Sequence, residues 1–173
     1  MAAMKHYRVP KMPARIRTSR RRPSPGFTMP ELVVAMAITA LLTAIAVPSF
    51  SGLTASQRAK TVSSELFESL LRTRSEAIVR NANVTIAPIG SAWVSGWQVL
   101  DPANAANVLD TRGAQSGVTI IGPAAVTYEP SGRLPAGTAP RFLVTAAAGS
   151  TTVYQCLSID LSGRPYIVAA ATC

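Results

Sequence analysis

One carboxylate stands alone in an apolar stretch of this chain. From Phe27 to Val47 the sequence is almost unbroken in its apolar character, and Glu31 is the only charged residue among those 21. A carboxylate at the centre of a membrane helix costs about 2.5–3.5 kcal/mol on insertion scales, and less near an end. A charge kept in such a place marks a function. It lies fifth after a glycine, in the run Gly26-Phe27-Thr28-Met29-Pro30-Glu31-Leu32. The other chemically capable side chains offer less. Cys156 and Cys173 are the only cysteines and His6 the only histidine. Two thiols with a remote imidazole do not complete a zinc shell, so no metal is expected. Asp101, Asp110, Glu129 and Asp160 have no motif around them, so neither a catalytic set nor a cofactor is expected.

The net charge of +9 suggests a nucleic-acid binder until its distribution is considered. Lys5, Arg8, Lys11, Arg15, Arg17, Arg20, Arg21 and Arg22 all precede Gly26, with no acid among them. The remainder holds nine Lys/Arg against eight Asp/Glu, a net of +1. A basic run before an apolar helix is a positive-inside signal, which keeps the leader in the cytoplasm and sends the C-terminal bulk across the membrane. A 21-residue helix is about 31 Å long, enough to span the hydrocarbon layer. An ordinary secretory signal is the rival reading, and Ala44-Ile45-Ala46 looks like its cleavage site. The apolar stretch, however, exceeds the roughly 7–15 residues of a signal core.

Gly-Phe-Thr-x-x-Glu-Leu ahead of an apolar helix resembles the type IV prepilin signature, shared by type IV pilins and type II secretion pseudopilins. The resemblance implies cleavage between Gly26 and Phe27 by a prepilin peptidase. It further implies N-methylation of the new Phe27 amine, and pairing of Glu31 with the amine of a neighbouring subunit during assembly. Pro48 also falls where the family has a proline. Met29-Pro30 departs from the usual pair of aliphatics, and a proline is tolerated there because the first helical turn has no partner for its N–H. Met4 and Met12 offer alternative starts to the long leader.

The elements that position these residues follow from periodicity. Beyond Ser49, Ala55, Ala59, Val62, Leu66, Leu70, Thr73 and Ala77 recur at three- and four-residue steps. We read one helix over 28–81, loosened near Pro48 and Gly52 and stopped at Asn81-Ala82-Asn83. Strands are expected at 84–88, 97–101, 118–121, 125–129, 141–146, 152–160 and 164–169, separated by glycine-, serine- and asparagine-rich turns. The fold class is α+β and pilin-like, a long N-terminal helix packed on an antiparallel β-rich domain. The organisation is a cleaved leader (1–26), a transmembrane half-helix (27–48), an amphipathic half-helix (49–81) and a β-rich domain (82–173). Trp93 and Trp97 read as core packing rather than a ligand platform.

Ser131-Gly132-Arg133 and Ser162-Gly163-Arg164 repeat one turn signal. Their plain reading is a hairpin turn with glycine in the left-handed region and an exposed arginine. With the helix and the length, the pair also resembles the GspH/FimT-like family of type II secretion pseudopilin H and minor pilins. One branch of that family binds DNA through a C-terminal Gly-Arg-x-Arg. Here Gly163-Arg164-Pro165-Tyr166 lacks the second arginine, and few cations are available for phosphate contacts. DNA uptake through Arg133, Arg141 and Arg164 is therefore an alternative, not the first choice. An exported domain sits in an oxidising space, so Cys156 and Cys173 are expected to form a disulfide. Closing a loop of that size gives roughly 3 kcal/mol. The first choice is a non-enzymatic minor pilin or pseudopilin of the bacterial inner membrane, later of a filament, at or near its tip. Its partners would be other pilins, the prepilin peptidase, an inner-membrane assembly platform and membrane lipid.

Overall fold

A computed structural model of the chain describes residues 26–137 and 139–173, and of residues 45–49 the backbone only. The basic leader and His6 lie outside the described residues. The chain divides into two compact units, Met1–Thr39 and Ala40–Cys173, and each is described by itself.

Helix α1 runs from Met29 to Arg80 without interruption at Pro48 or Gly52. Its end is local chemistry. Asn81 takes a left-handed φ of 51°, its N–H donates to the Ile78 carbonyl, and the Ala82 N–H donates to that of Ala77. That six-to-one bond closes a Schellman-type cap, in which asparagine tolerates the conformation that most side chains avoid. Arg80, in the last turn, also complements the negative helix end.

Among the described residues eight strands follow: β1 (Val84–Pro88), β2 (Trp97–Leu100), β3 (Val108–Arg112), β4 (Val118–Ile121), β5 (Val126–Tyr128), β6 (Arg141–Ala148), β7 (Thr151–Ile159) and β8 (Pro165–Val168). They form two antiparallel four-stranded sheets, ordered β3-β2-β1-β5 and β4-β6-β7-β8. Strand β3 is absent from the sequence expectation. It is an edge strand with Asp110, Thr111 and Arg112 in five residues and no fully buried side chain, so it carries little alternation. Pairing to β2 places it, with a register shift at Val99/Leu100. Arg72 of α1 anchors it, with Nη1 3.5 Å from Asp110 and Nη2 donating to the Leu109 carbonyl at 3.4 Å.

The helix face expected from periodicity is the buried one. Ala55, Ala59, Val62, Leu66, Leu70, Thr73 and Ala77 are all buried. Leu66 and Leu70 join Ile86, Val99 and Tyr128 of the first sheet and Phe142, Val144 and Leu157 of the second in one apolar cluster. Both tryptophans belong to that core. Trp97 Nε1 donates to Ser69 Oγ at 2.9 Å, and Trp93 Nε1 donates to the Pro123 carbonyl at 2.6 Å. Trp93 meets Phe142 edge-to-face at 4.8 Å. Buried indoles thus keep their polar N–H satisfied.

Candidate functional site

The Gly26–Phe27 bond lies in exposed, non-helical chain directly before α1. A methyl group added at Gly26 would meet nothing within 4 Å. Thr28 caps the helix: its carbonyl accepts the first helical bond, from the Leu32 N–H, at 3.1 Å. The Glu31 carboxylate turns back toward that cap. Its Oε2 accepts from the Thr28 N–H at 3.4 Å and from the Thr28 hydroxyl at 3.5 Å. These are long contacts on an exposed group, arranged as in a capping box. The Thr-x-x-Glu spacing signals such a box, a local role for Glu31 beside those of lone charge and partner of a neighbour's amine.

Around Glu31 the helix is apolar on every side. Phe27, Met29, Leu32, Val33, Val34, Met36, Ile38, Leu41 and Leu42 are each more than half exposed. A helix with no polar face needs an apolar surrounding, which water is not. Among the described residues, no helix is long and apolar enough to cross a membrane. Part of the expected span, the side chains of 45–49, lies outside them.

The two Gly-Arg turns share one geometry. In the first, the Glu129 N–H donates to the Arg133 carbonyl and the Gly132 N–H to the Glu129 carbonyl, at 2.9 and 2.8 Å. In the second, Asp160 with Arg164 and Gly163 with Asp160 repeat those bonds at 3.1 and 2.9 Å. Gly132 and Gly163 have φ of 73° and 81°, so both glycines serve the left-handed position. The structure brings the turns together. A Cβ on Gly163 would collide with the Gly132 carbonyl and lie 3.2 Å from the Tyr128 ring.

Arg74 of α1 holds the pair. Its Nε donates to the Gly132 carbonyl at 2.9 Å and its Nη2 to the Ser162 carbonyl at 3.3 Å. Nothing in the sequence singled out Arg74 from the other helix arginines. Asp160 fixes the second turn from within. Its Oδ1 accepts from the Ser162 hydroxyl at 2.6 Å and the Arg164 N–H at 2.9 Å. These two bonds, the hydroxyl's first, hold its carboxyl below the usual range. Burial pushes the Tyr128 phenol up, well beyond its ordinary value.

Arg133, Arg141 and Arg164 are all exposed, and among the described residues their guanidinium groups have no hydrogen-bond or ion-pair partner. Arg133 and Arg164 sit on the touching turns. Arg141 starts β6 opposite Ser158, which in turn faces Tyr166 of β8. Much other charge is used internally: Arg80 pairs with Glu76 at 2.7 Å and with Asp101 at 3.7 Å. Among the described residues there is no cluster of metal-ligating side chains.

Cys156 and Cys173 form a disulfide with Cα atoms 5.4 Å apart. Cys156 is directly opposite Leu143 in β6 and Val168 in β8. The C-terminal tail is thereby tied to the face of β7 opposite Leu157 and Ile159. Residues 155–159 are consequently buried on both faces, where one-sided burial would have left alternate residues exposed.

A long N-terminal helix packed on antiparallel sheets, with an exposed apolar helix start behind a glycine–phenylalanine bond, defines a pilin-like subunit. The chain belongs to the family of the type II transport protein GspH, whose family model matches residues 63–163. The prokaryotic N-terminal methylation motif matches residues 21–47, as in proteins anchored in the inner membrane by a prepilin-type helix. Two crystal structures of the type IV minor pilin FimU of Pseudomonas aeruginosa share the fold. In space group P21 the similarity has a TM-score of 0.58 and 22% identity over 70% of this chain and 98% of that one. In space group P65 the TM-score is 0.54 with 22% identity, over 66% and 98%. No curated protein matches the chain. This is a family of structural subunits of type IV pili or type II secretion systems.

Proposed function

We propose that this chain is a minor pilin or pseudopilin, a non-enzymatic subunit stored in the inner membrane and extracted into a filament at or near its tip. The observation that carries the reading is the exposed Gly26–Phe27 bond beside a helix start that is apolar on all sides except at Glu31. Cleavage there frees the Phe27 amine for methylation. Glu31 then exchanges its long contacts with Thr28 for a neighbour's amine, a pairing strengthened by the low dielectric of packed helices. Residues 27–48 hold the subunit in the membrane, with the leader cytoplasmic and the β-rich domain on the far side. Assembly needs the prepilin peptidase, an inner-membrane platform and other pilins.

The test is the mature N-terminus. Intact mass and N-terminal sequencing of membrane-extracted protein should give Phe27, one methyl group heavier. A start at Val47 would mean signal-peptidase release and would overturn the pilin reading.

A second reading is DNA binding for uptake, favoured by Arg133 and Arg164 standing unpaired on touching turns. It ranks below the first because Tyr166 stands where the DNA-binding branch has a second arginine.

A further inference from the structure

The arginines of α1 divide sharply by what they touch. Arg72 and Arg80 meet carboxylates, and Arg74 meets two carbonyls. Arg58 has no hydrogen-bond or ion-pair partner among the described residues, although it is not adrift. Its guanidinium lies over Gly117, where an added Cβ would come within 2.8 Å of Nη1. Gly117, at φ of 71°, leaves the room that the guanidinium occupies. Arg58 lines a groove of about 540 Å³ with Leu53, Thr54, Gln57 and Thr61 on one wall and residues 114–116 on the other. Its walls mix apolar groups of Leu53, Val62 and Ala114 with hydroxyl and amide groups of Thr54, Gln57, Gln115 and Ser116, and the one charge lining it is the Arg58 cation. That combination fits an amphiphile with an anionic head.

Position along the helix selects the amphiphile. Phe50 and Leu53 are 66% and 63% exposed, apolar groups just past the apolar run that ends at Val47. At about 1.5 Å per residue, Leu53 is roughly 9 Å and Arg58 roughly 16 Å beyond Val47. The polar headgroup layer is about 5–7 Å deep on each side of the hydrocarbon. Helix side chains lean toward the N-terminus, and a long arginine stem reaches several ångströms further. Arg58 and the groove thus come down to headgroup level once Phe50 and Leu53 settle into the boundary.

We propose that this groove receives the anionic headgroup of a membrane phospholipid while the subunit waits in the membrane, with Arg58 on the phosphate. The proposal rests on residues 27–48 being the membrane anchor. It adds a docking step that seats the domain on the bilayer and must be undone on extraction.

The test uses full-length processed protein in nanodiscs of zwitterionic phosphatidylcholine, alone or with increasing phosphatidylglycerol, and reads amide exchange of residues 113–117. Anionic lipid should slow that exchange, and Arg58→Gln should raise the phosphatidylglycerol fraction needed for half protection about fivefold, the share of one basic residue at an anionic surface. Arg58→Lys should recover part of the effect. Equal exchange in the two lipids, or equal titrations for Arg58→Gln and wild type, would overturn the proposal. Protection by soluble glycerol phosphate in zwitterionic discs would also overturn it, in favour of a free phosphate ligand. Retention in zwitterionic discs is the separate reading: its loss sinks the membrane anchor itself, whereas its persistence without lipid-dependent protection sinks only the headgroup site.

Discussion

Gly163→Ala should destabilise the globular domain by about 3–5 kcal/mol, well beyond Gly90→Ala at a similar backbone angle. The left-handed conformation itself costs a residue with a Cβ about 1–2 kcal/mol. At φ of 81° Gly163 incurs that cost, and so does Gly90 at 73°. The two differ in their surroundings. A Cβ at Gly90 meets nothing within 4 Å, whereas at Gly163 it collides with the Gly132 carbonyl and crowds the Tyr128 ring. Overpacking of this kind costs about 1–3 kcal/mol. Relief requires the two turns to separate, which stretches the Arg74 bonds to Gly132 and Ser162. Part of a net hydrogen-bond contribution of about 1 kcal/mol is then lost as well. Thermal unfolding of the processed protein in detergent reads the difference through the near-ultraviolet dichroism of buried Trp93 and Trp97. At roughly 3–5 °C per kcal/mol for a domain of this size, Gly163→Ala should lower Tm by about 10–20 °C and Gly90→Ala by about 3–8 °C. Equal shifts for the two would refute the contact between the turns.

Three further outcomes are expected. Cys173→Ser should cost about 3 kcal/mol and lower Tm by roughly 10 °C, with reduction of the wild-type protein giving the same shift in the same melt. Two freely alkylatable thiols in envelope-derived protein would contradict the disulfide. Glu31→Ala should leave processing and insertion largely intact, since a neutral side chain enters a bilayer more easily, yet deplete the subunit from sheared filaments; normal incorporation would argue against amine pairing. Duplex DNA should bind weakly, because the charge beyond the leader nearly cancels. Titration of labelled duplex at about 50 and 200 mM salt checks this, and micromolar binding lost in Arg164→Ala would make DNA uptake the leading function.

Much of this protein is decided locally and is therefore legible in the chain. The helix expected over 28–81 is found over Met29–Arg80, because Thr28 at one end and Asn81 at the other act through bonds to residues a few positions away. Its buried stripe follows from the helical period. Seven of the strands follow from apolar runs bounded by turn residues, and the prepilin junction at Gly26, Phe27 and Glu31 is a contiguous motif. Each turn around Gly132 and Gly163 is also readable singly.

What the chain by itself leaves open depends on contacts between distant residues. That the two turns touch, that Arg74 and not Arg72 or Arg80 clamps them, and that Arg58 is left over a groove without an acid are consequences of how the two sheets pack on α1. Strand β3 is of the same kind: five half-exposed residues with little pattern, extended because β2 pairs with them and Arg72 holds them. The identity of an arginine fixes its charge and reach. Which carbonyl, carboxylate or open groove lies within that reach is set only when residues tens of positions apart are brought to one place by burial of the shared core.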